Sequence, residues 1–273
     1  MNTKLSKIVA AAFLFVIIPF VGAAFSSGDH GDDQMKEKSS GDMKKKGGGH
    51  WAYQGDGGPA YWGDLDARFK TCKNGMSQSP IDVTFARNAD LSGILVNYNS
   101  VPLEILNNGH TIQVNIAKGS KIEVERVEYD LLQFHFHSPS EHKVNGKAYD
   151  LVAHFVHKEN NGEALAVMSV LFEEGTTNAG LKGFWKYLPK KAGEKHVVAK
   201  VSVDAVKILP SDRSYYHYSG SLTTPPCSEG VKWMLLKDPV QISKAQLVAF
   251  KAIIDGNVRP LQPLNSRIIE AKK

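Results

Sequence analysis

An alternation of apolar and polar positions marks the segment around residues 131–137. On a β-strand its two faces would carry Gln133, His135 and His137 on one side and Leu132, Phe134 and Phe136 on the other. At a rise of about 3.3 Å per residue the two histidines lie about 7 Å apart, so both imidazoles can reach one metal ion. The segment therefore predicts a strand with one apolar face and one nitrogen-bearing face.

Similar strand patterns recur along much of the chain, separated by glycine- and asparagine-containing turns. They cover residues 103–106, 111–116, 121–127, 131–137, 150–156 and 164–172. Helical spacing is confined to residues 181–188 and 243–254. In the second helix Ser243 is the N-cap, and the apolar positions are Leu247, Phe250, Ile253 and Ile254. These patterns predict a mainly β (α+β) fold, a single domain built on a large, mostly antiparallel twisted sheet with peripheral helices.

The first 49 residues differ from the rest. Lys4 and Lys7 precede an apolar run over residues 8–20 and small residues at 22–24, which is typical of a signal peptide over residues 1–24. Pro19 and the short run disfavour a permanent membrane span. Residues 25–49 are polar and predict a flexible linker, so the folded domain is expected at 50–273. A metal-delivery tail, based on His30 and His50, is the weaker alternative.

The composition is that of an ordinary globular protein. The 273 residues are 42% hydrophobic and 22% charged, with a formal charge of +5. Removal of residues 1–24 would take away two lysines and no acid, which lowers the charge to +3. Such a weak positive charge gives no reason to expect nucleic acid as a partner.

The chain has two cysteines, Cys72 and Cys227. Because an exported protein folds in an oxidising compartment, pairing is favoured over two free thiols, and the protein is expected to be periplasmic or secreted. The bridge would also restrain the loop around Thr223, which lies four residues before Cys227.

A third candidate metal ligand, His154, lies on the strand that follows the HxH segment. It comes 17 residues after His137, which leaves room for a loop and a return strand. Three neutral imidazoles from two adjacent antiparallel strands would leave one position of a tetrahedral zinc ion open, as in catalytic zinc sites. His157 points to the other face and is expected to be a hydrogen-bonded core residue.

Five motifs follow one another along the chain. They are Asn107-Asn108-Gly109-His110, Gln133-Phe134-His135-Phe136-His137, Ser140-Glu141-His142, His154-Phe155-Val156-His157 and Ser221-Leu222-Thr223-Thr224-Pro225-Pro226-Cys227. Together they closely resemble the α-class carbonic anhydrases of the exported bacterial type. The resemblance runs from about residue 50 to residue 267. It implies a zinc lyase that reversibly converts carbon dioxide to bicarbonate and a proton.

The resemblance also implies roles for individual residues. The zinc ligands would be His135, His137 and His154. Thr223 would accept a hydrogen bond from zinc-bound hydroxide and donate to Glu141, which turns the nucleophilic lone pair toward carbon dioxide. Sulfonamides or anions would bind at the zinc, and a homodimer is left open.

Further positions match the substrate pocket and the proton path of the family. The apolar pocket would comprise Val156, Val167, Leu222 and Trp233, with Thr224 lining the same cavity. His110 would be the proton shuttle, with an imidazole pKa near 6.5 suited to transfer to buffer. Connecting waters would be held by Tyr53, Asn108 and Gln113, and Gln133 would support His135 from behind.

One position departs from the family pattern. The family usually places a glutamate two residues before its third zinc ligand, and this chain has Val152 there. Because such supporting partners are worth roughly 10–100-fold in metal affinity or activity, weaker zinc binding is expected, or a substitute such as Asp150 or a backbone carbonyl.

Two other functions fit parts of the pattern. His135, His137 and Glu141 satisfy the HxHxxxE metal pattern of cupins, but the Thr223 loop is then unexplained and the rest of a cupin signature is missing. A catalytically silent module on the same fold is the second alternative. Such a module is expected to have lost a zinc ligand, whereas all three histidines are present.

Overall fold

The computed structural model describes residues 50–272. The expected signal peptide (1–24) and linker (25–49) lie outside the described residues. Within them the strands are β1 Asp82–Val83, β2 Arg87–Ala89, β3 Leu95–Asn97, β4 Val101–Asn107, β5 Ile112–Asn115, β6 Lys121–Val124, β7 Val127–His137, β8 Lys143–Val144, β9 Leu151–Glu159, β10 Leu165–Glu174, β11 Lys195–Val203, β12 Tyr215–Ser221, β13 Glu229–Leu236, β14 Val240–Ile242 and β15 Glu270–Lys272. The α-helices are α1 Trp62–Leu65, α2 Thr71–Asn74, α3 Ala179–Trp185 and α4 Lys244–Lys251.

Thirteen of the described strands form one large sheet, with the main order β11-β4-β5-β7-β9-β10-β13-β12-β15-β2. Most neighbours are antiparallel, as expected, while β10 pairs in parallel with both β13 and β14. The two histidine-bearing strands, β7 and β9, lie side by side in the middle. The mainly β class with peripheral helices is therefore confirmed.

The two faces of the central strands contact different apolar clusters. Phe134 and Phe136 of β7 and Phe155 of β9 lie in the larger cluster, which α3 and α4 cover. The opposite face holds a smaller cluster that includes Val152 and Trp233. The metal-site histidines lie on this second face. The larger core therefore holds the strands in place from the opposite face and occupies none of the space around the histidines.

Two strand details differ from the sequence expectation. A register shift between Leu131 and Gln133 places Leu131 in the core and leaves Leu132 44% exposed, so Leu132 does not share the face of Phe134. Such a bulge adds a residue and breaks simple alternation. The expected strand 121–127 ends at Val124 instead, because Glu125 and Arg126 have positive φ angles of 55° and 65°. This is a hairpin turn without the usual asparagine–glycine signal.

The helices begin close to where the sequence places them. Ser243 caps α4 through a capping box with Gln246, and Leu247 and Phe250 are buried. Both helices end three residues before the predicted limits of 188 and 254. No helix within residues 50–272 is long and apolar enough to cross a membrane.

The disulfide between Cys72 and Cys227 is present, as predicted. The backbone carbonyl groups of both cysteines also accept hydrogen bonds from buried side chains. The Cys72 carbonyl accepts from Nη2 of Arg259 at 2.9 Å, and the Cys227 carbonyl accepts from Nε2 of Gln78 at 3.1 Å. The bridge thus ties the segment around α2 to the loop that carries Thr223.

Candidate metal centre

Three histidines converge on one point where β7 and β9 pair. His135 lies opposite His154 in the antiparallel register, and the His137 ring lies 4.8 Å from the His154 ring, between centroids. One potential ligand atom from each of the three residues lies within 4.8 Å of the other two. The strand pairing therefore brings together the ligand set predicted from the sequence.

Two of these imidazoles are oriented by hydrogen bonds behind the site. Nδ1 of His135 lies 2.9 Å from Oε1 of Gln133, and Nδ1 of His137 lies 2.7 Å from the carbonyl oxygen of Asn257. In each case Nε2 is left for a metal, and Nε2 of His137 is buried without a partner in the described part of the chain. Such outer partners fix the tautomer and orientation of ligating histidines.

Burial favours the neutral form of two of the three ligands. The pKa values of His135 and His154 lie well below the usual range, mainly because burial disfavours the charged form and secondarily because neighbouring imidazoles repel it. Neutral imidazole is the form that binds a metal ion. Three converging imidazole nitrogens fit a zinc ion with one open position.

Glu141 lies against two of the three rings, those of His137 and His154. Its Oε2 is 3.5 Å from Nε2 of His137 and 3.8 Å from Nδ1 of His154, while Oε1 accepts the backbone N–H of Arg259 at 3.0 Å. Burial raises the pKa of Glu141, and the Arg259 N–H and the Thr223 hydroxyl act against it by hydrogen bonding to the carboxylate. A dication at the site would further favour the ionised form.

A cavity of about 130 Å³ opens over the histidines. Its lining includes most of the polar residues expected there: Tyr53, Asn108, His110, Gln113, Gln133, His135, His137 and Thr224. Within this set, the Asn108 amide nitrogen lies 3.5 Å from Oε1 of Gln113, and the Tyr53 hydroxyl is buried without a partner among the described residues. The predicted polar wall is thus assembled in one place.

His110 stacks face to face on Trp51, with ring centroids 3.6 Å apart and an angle of 11° between the planes. Oδ1 of Asn108 accepts the backbone N–H of His110 at 3.0 Å and so shapes the turn. Burial, and secondarily the charge of His50, lowers the pKa of His110 to about 4. The pKa near 6.5 that the sequence predicts for His110 therefore does not apply while its ring is stacked on Trp51.

The predicted apolar pocket residues form a row across neighbouring strands. Val156 on β9 pairs with Val167 on β10, which pairs with Trp233 on β13. The Trp233 ring meets His154 edge-on at 5.0 Å, and Leu222 packs against the same cluster. These side chains do not line the cavity above the histidines but lie beside the metal centre, in the smaller core.

The position behind His154 lacks a substitute for the absent glutamate. Nε2 of His154 is buried and has no hydrogen-bond partner within residues 50–272. Asp150, one expected substitute, uses Oδ2 to accept the backbone N–H of Glu174 at 2.8 Å. The expectation that Asp150 or a carbonyl supports His154 is therefore wrong.

Sequence reasoning missed several residues of the site. Asn257 and Arg259 lie more than 110 positions from the side chains they support, and Trp51 meets His110 only in the folded chain. No local pattern marks such contacts. His157 agrees with its expected core role, because its Nε2 lies 2.7 Å from the Tyr98 hydroxyl.

Fold and site together define a β-sheet protein with a three-histidine metal centre, the donor set of a catalytic zinc site. The family model of the eukaryotic-type carbonic anhydrases matches residues 57–273. A carbonic anhydrase of Pectobacterium carotovorum is 43% identical over 207 residues, 75% of this chain and 84% of that protein. Another, from Klebsiella pneumoniae, is 44% identical over 208 residues, 75% of this chain and 84% of that protein.

A solved structure agrees in fold. The complex of α-carbonic anhydrase from Thermovibrio ammonificans with the inhibitor sulfanilamide superposes with a TM-score of 0.79 at 45% identity, covering 83% of this chain and 100% of that one. The chain therefore belongs to the eukaryotic-type (α-class) carbonic anhydrase family. It is a carbonic anhydrase by family, with the reversible hydration of carbon dioxide as its reaction, and the cupin alternative is excluded.

Proposed function

We propose that this chain hydrates carbon dioxide with zinc held by His135, His137 and His154, outside the cytoplasm. The observation that carries the proposal is the convergence of three imidazoles, two of them buried and that of His135 half-buried, under an open cavity. When bound, zinc supplies Lewis acidity that lowers the pKa of a coordinated water to about 7, a value known from carbonic anhydrase itself. The three ligands add no negative charge that would weaken this effect.

Glu141 and Thr223 would orient the nucleophile. The ionised carboxylate of Glu141 can only accept a hydrogen bond, so the Thr223 hydroxyl must donate its one proton there. Thr223 can then only accept a hydrogen bond from the nucleophile, whose lone pair is left to face the substrate. The Arg259 N–H on Oε1 of Glu141 holds the carboxylate in place for this role.

Carbon dioxide would rest beside the metal on the apolar residues. It has no net charge, so apolar side chains can accommodate it without loss of hydrogen bonds. In support, Val156, Val167, Leu222 and Trp233 belong to one apolar cluster, and the Trp233 ring contacts His154. Thr224, at the cavity wall, would contact the substrate or the leaving bicarbonate.

Proton release would pass along the polar wall to His110. Release from a group of pKa about 7 directly to water is capped near 10³ per second, far below the roughly 10⁶ per second that carbonic anhydrase reaches. Tyr53, Asn108 and Gln113 would hold the intervening waters. Because the pKa of His110 is about 4 when it is stacked on Trp51, efficient transfer requires the ring to leave that position.

Replacement of His110 by alanine is expected to lower turnover by roughly 10- to 100-fold in dilute buffer, because a positioned acid–base group contributes on this scale. Stopped-flow carbon dioxide hydration measures the effect. Added imidazole should restore most of the rate, while kcat/KM should change little. Unchanged turnover in dilute buffer removes the shuttle role from His110.

Zinc dependence tests the function as a whole. Chelator-treated protein is expected to lose carbon dioxide hydration and to regain it with one equivalent of zinc, as followed by stopped-flow and metal analysis. Sulfanilamide, which the Thermovibrio ammonificans enzyme binds, should inhibit the restored activity. Zinc binding without activity would favour the silent module instead.

The location outside the cytoplasm is supported by the disulfide, which is typical of oxidising compartments. The N-terminal apolar run adds support from the sequence. The choice between periplasm and secretion, and a homodimer, stay predictions that cell fractionation and light scattering test.

A further inference from the structure

Two buried ring nitrogens without partners lie behind the metal centre. They are Nε2 of His154 and Nδ1 of His142, and neither has a hydrogen bond within residues 50–272. The two rings meet edge to face, with centroids 6.0 Å apart and planes at 76°. Since buried polar groups are nearly always paired, two such neighbours call for one common explanation.

Metal binding decides where the proton of His154 must be. Nδ1 of His154 and Nε2 of His137 lie 3.8 Å and 3.5 Å from the same Glu141 oxygen, so these two nitrogens lie close together, which makes Nδ1 the ligand atom of His154 in the proposed site. A neutral imidazole that binds a metal through Nδ1 carries its proton on Nε2. The loaded site therefore contains a buried Nε2–H that needs an acceptor.

Val152 provides no acceptor. It lies on the same strand face, two residues before His154, and is completely buried in the smaller apolar cluster. With valine there, two polar side chains remain near His154 among the described residues: His142, and Ser169, which lies opposite His154 on β10 and whose hydroxyl also has no partner. Of the two, His142 is the one held in place by a hydrogen bond of its own.

His142 is held by hydrogen bonds on its other side. Its Nε2 lies 2.6 Å from the Tyr218 hydroxyl, which lies 2.7 Å from Oγ of Ser79. If His142 donates to Tyr218 and Tyr218 donates to Ser79, Nδ1 of His142 carries a lone pair. If Tyr218 instead donated to Nε2 of His142, Nδ1 of His142 would carry the proton and its N–H would face the Nε2–H of His154. Metal binding therefore favours the arrangement in which His142 donates to Tyr218.

We propose that His142 is a positioning residue of the metal centre, whose Nδ1 accepts the Nε2–H of His154, directly or through one buried water, in place of a carboxylate at position 152. The proposal rests on the proposed zinc site. A neutral acceptor forms a weaker hydrogen bond than a carboxylate, so the metal is held less firmly than with glutamate.

Zinc release from the fully loaded protein into excess chelator tests the proposal. His142→Phe should release zinc roughly 10–100-fold faster, and Val152→Glu more slowly by a similar factor. In the Val152→Glu background, His142→Phe should accelerate release by less than about threefold, because the carboxylate then supports His154 alone. Equal acceleration in both backgrounds, or none in the wild-type background, overturns the proposal.

His157→Phe is the matched control, because His157 is also buried and bonded to a tyrosine, Tyr98, but faces away from the site. It should leave the release rate unchanged, and acceleration equal to that of His142→Phe overturns the proposal.

A second measurement needs no variant. Nitrogen-15 NMR of histidine in the zinc-loaded wild type should show His142 protonated at Nε2, and protonation at Nδ1 overturns the proposal. One zinc per chain with active wild type keeps the proposed function intact in either case.

Discussion

Replacement of His137 by alanine is expected to abolish zinc retention and to lower carbon dioxide hydration by at least about 10³-fold. The acceleration depends on a metal that needs three protein ligands. The His137 ring lies 5.1 Å from the His135 ring and 4.8 Å from the His154 ring, between centroids, and is itself held by the carbonyl of Asn257 at 2.7 Å. Its loss leaves two histidine ligands and an enlarged buried space. Zinc content after dialysis and stopped-flow rates measure the effect.

The matched control is His196→Ala, which removes a half-buried histidine far along the sheet order, on β11. It is expected to keep zinc and activity. Near-normal activity of His137→Ala with bound zinc would mean that the metal is held elsewhere and would contradict the ligand assignment.

Replacement of Thr223 by alanine is expected to lower kcat/KM by about 10²–10³-fold while zinc content stays the same. This is the usual effect of removing one preorganised hydrogen-bonding group that acts on the reacting atoms. Thr223 is 5% exposed and acts to lower the pKa of the Glu141 carboxyl, so the carboxylate is the acceptor expected for its hydroxyl proton. Without it, the nucleophile loses its fixed orientation.

Thr223→Ser keeps the hydroxyl and is expected to retain most of the rate. Glu141→Gln should resemble Thr223→Ala, because the amide can donate to Thr223 and reverse the hydrogen bond. Full activity of Glu141→Gln would show that the carboxylate does not direct Thr223.

The fold was largely predictable because its strongest signal is local. Alternation around Phe134 and Phe136 predicts the correct buried face, and Ser243 predicts the start of α4. The wrong predictions concern the face of Leu132 and the end of the strand predicted at 121–127. In both places the alternation of apolar and polar residues is interrupted, by a bulge near Leu132 and by the turn at Glu125 and Arg126. Such breaks depend on pairing with another strand rather than on the residues themselves.

The sequence by itself determined the family, the disulfide and the identity of the three converging histidines, because these depend on residue type, order and strand periodicity. Only the tertiary structure decided how each histidine is supported. Asn257 reaches His137, Arg259 reaches Glu141, and Trp51 covers His110 through contacts between distant parts of the chain. Burial, and with it the pKa of about 4 at His110 and the unpartnered nitrogen of His154, is likewise a property of the packed chain.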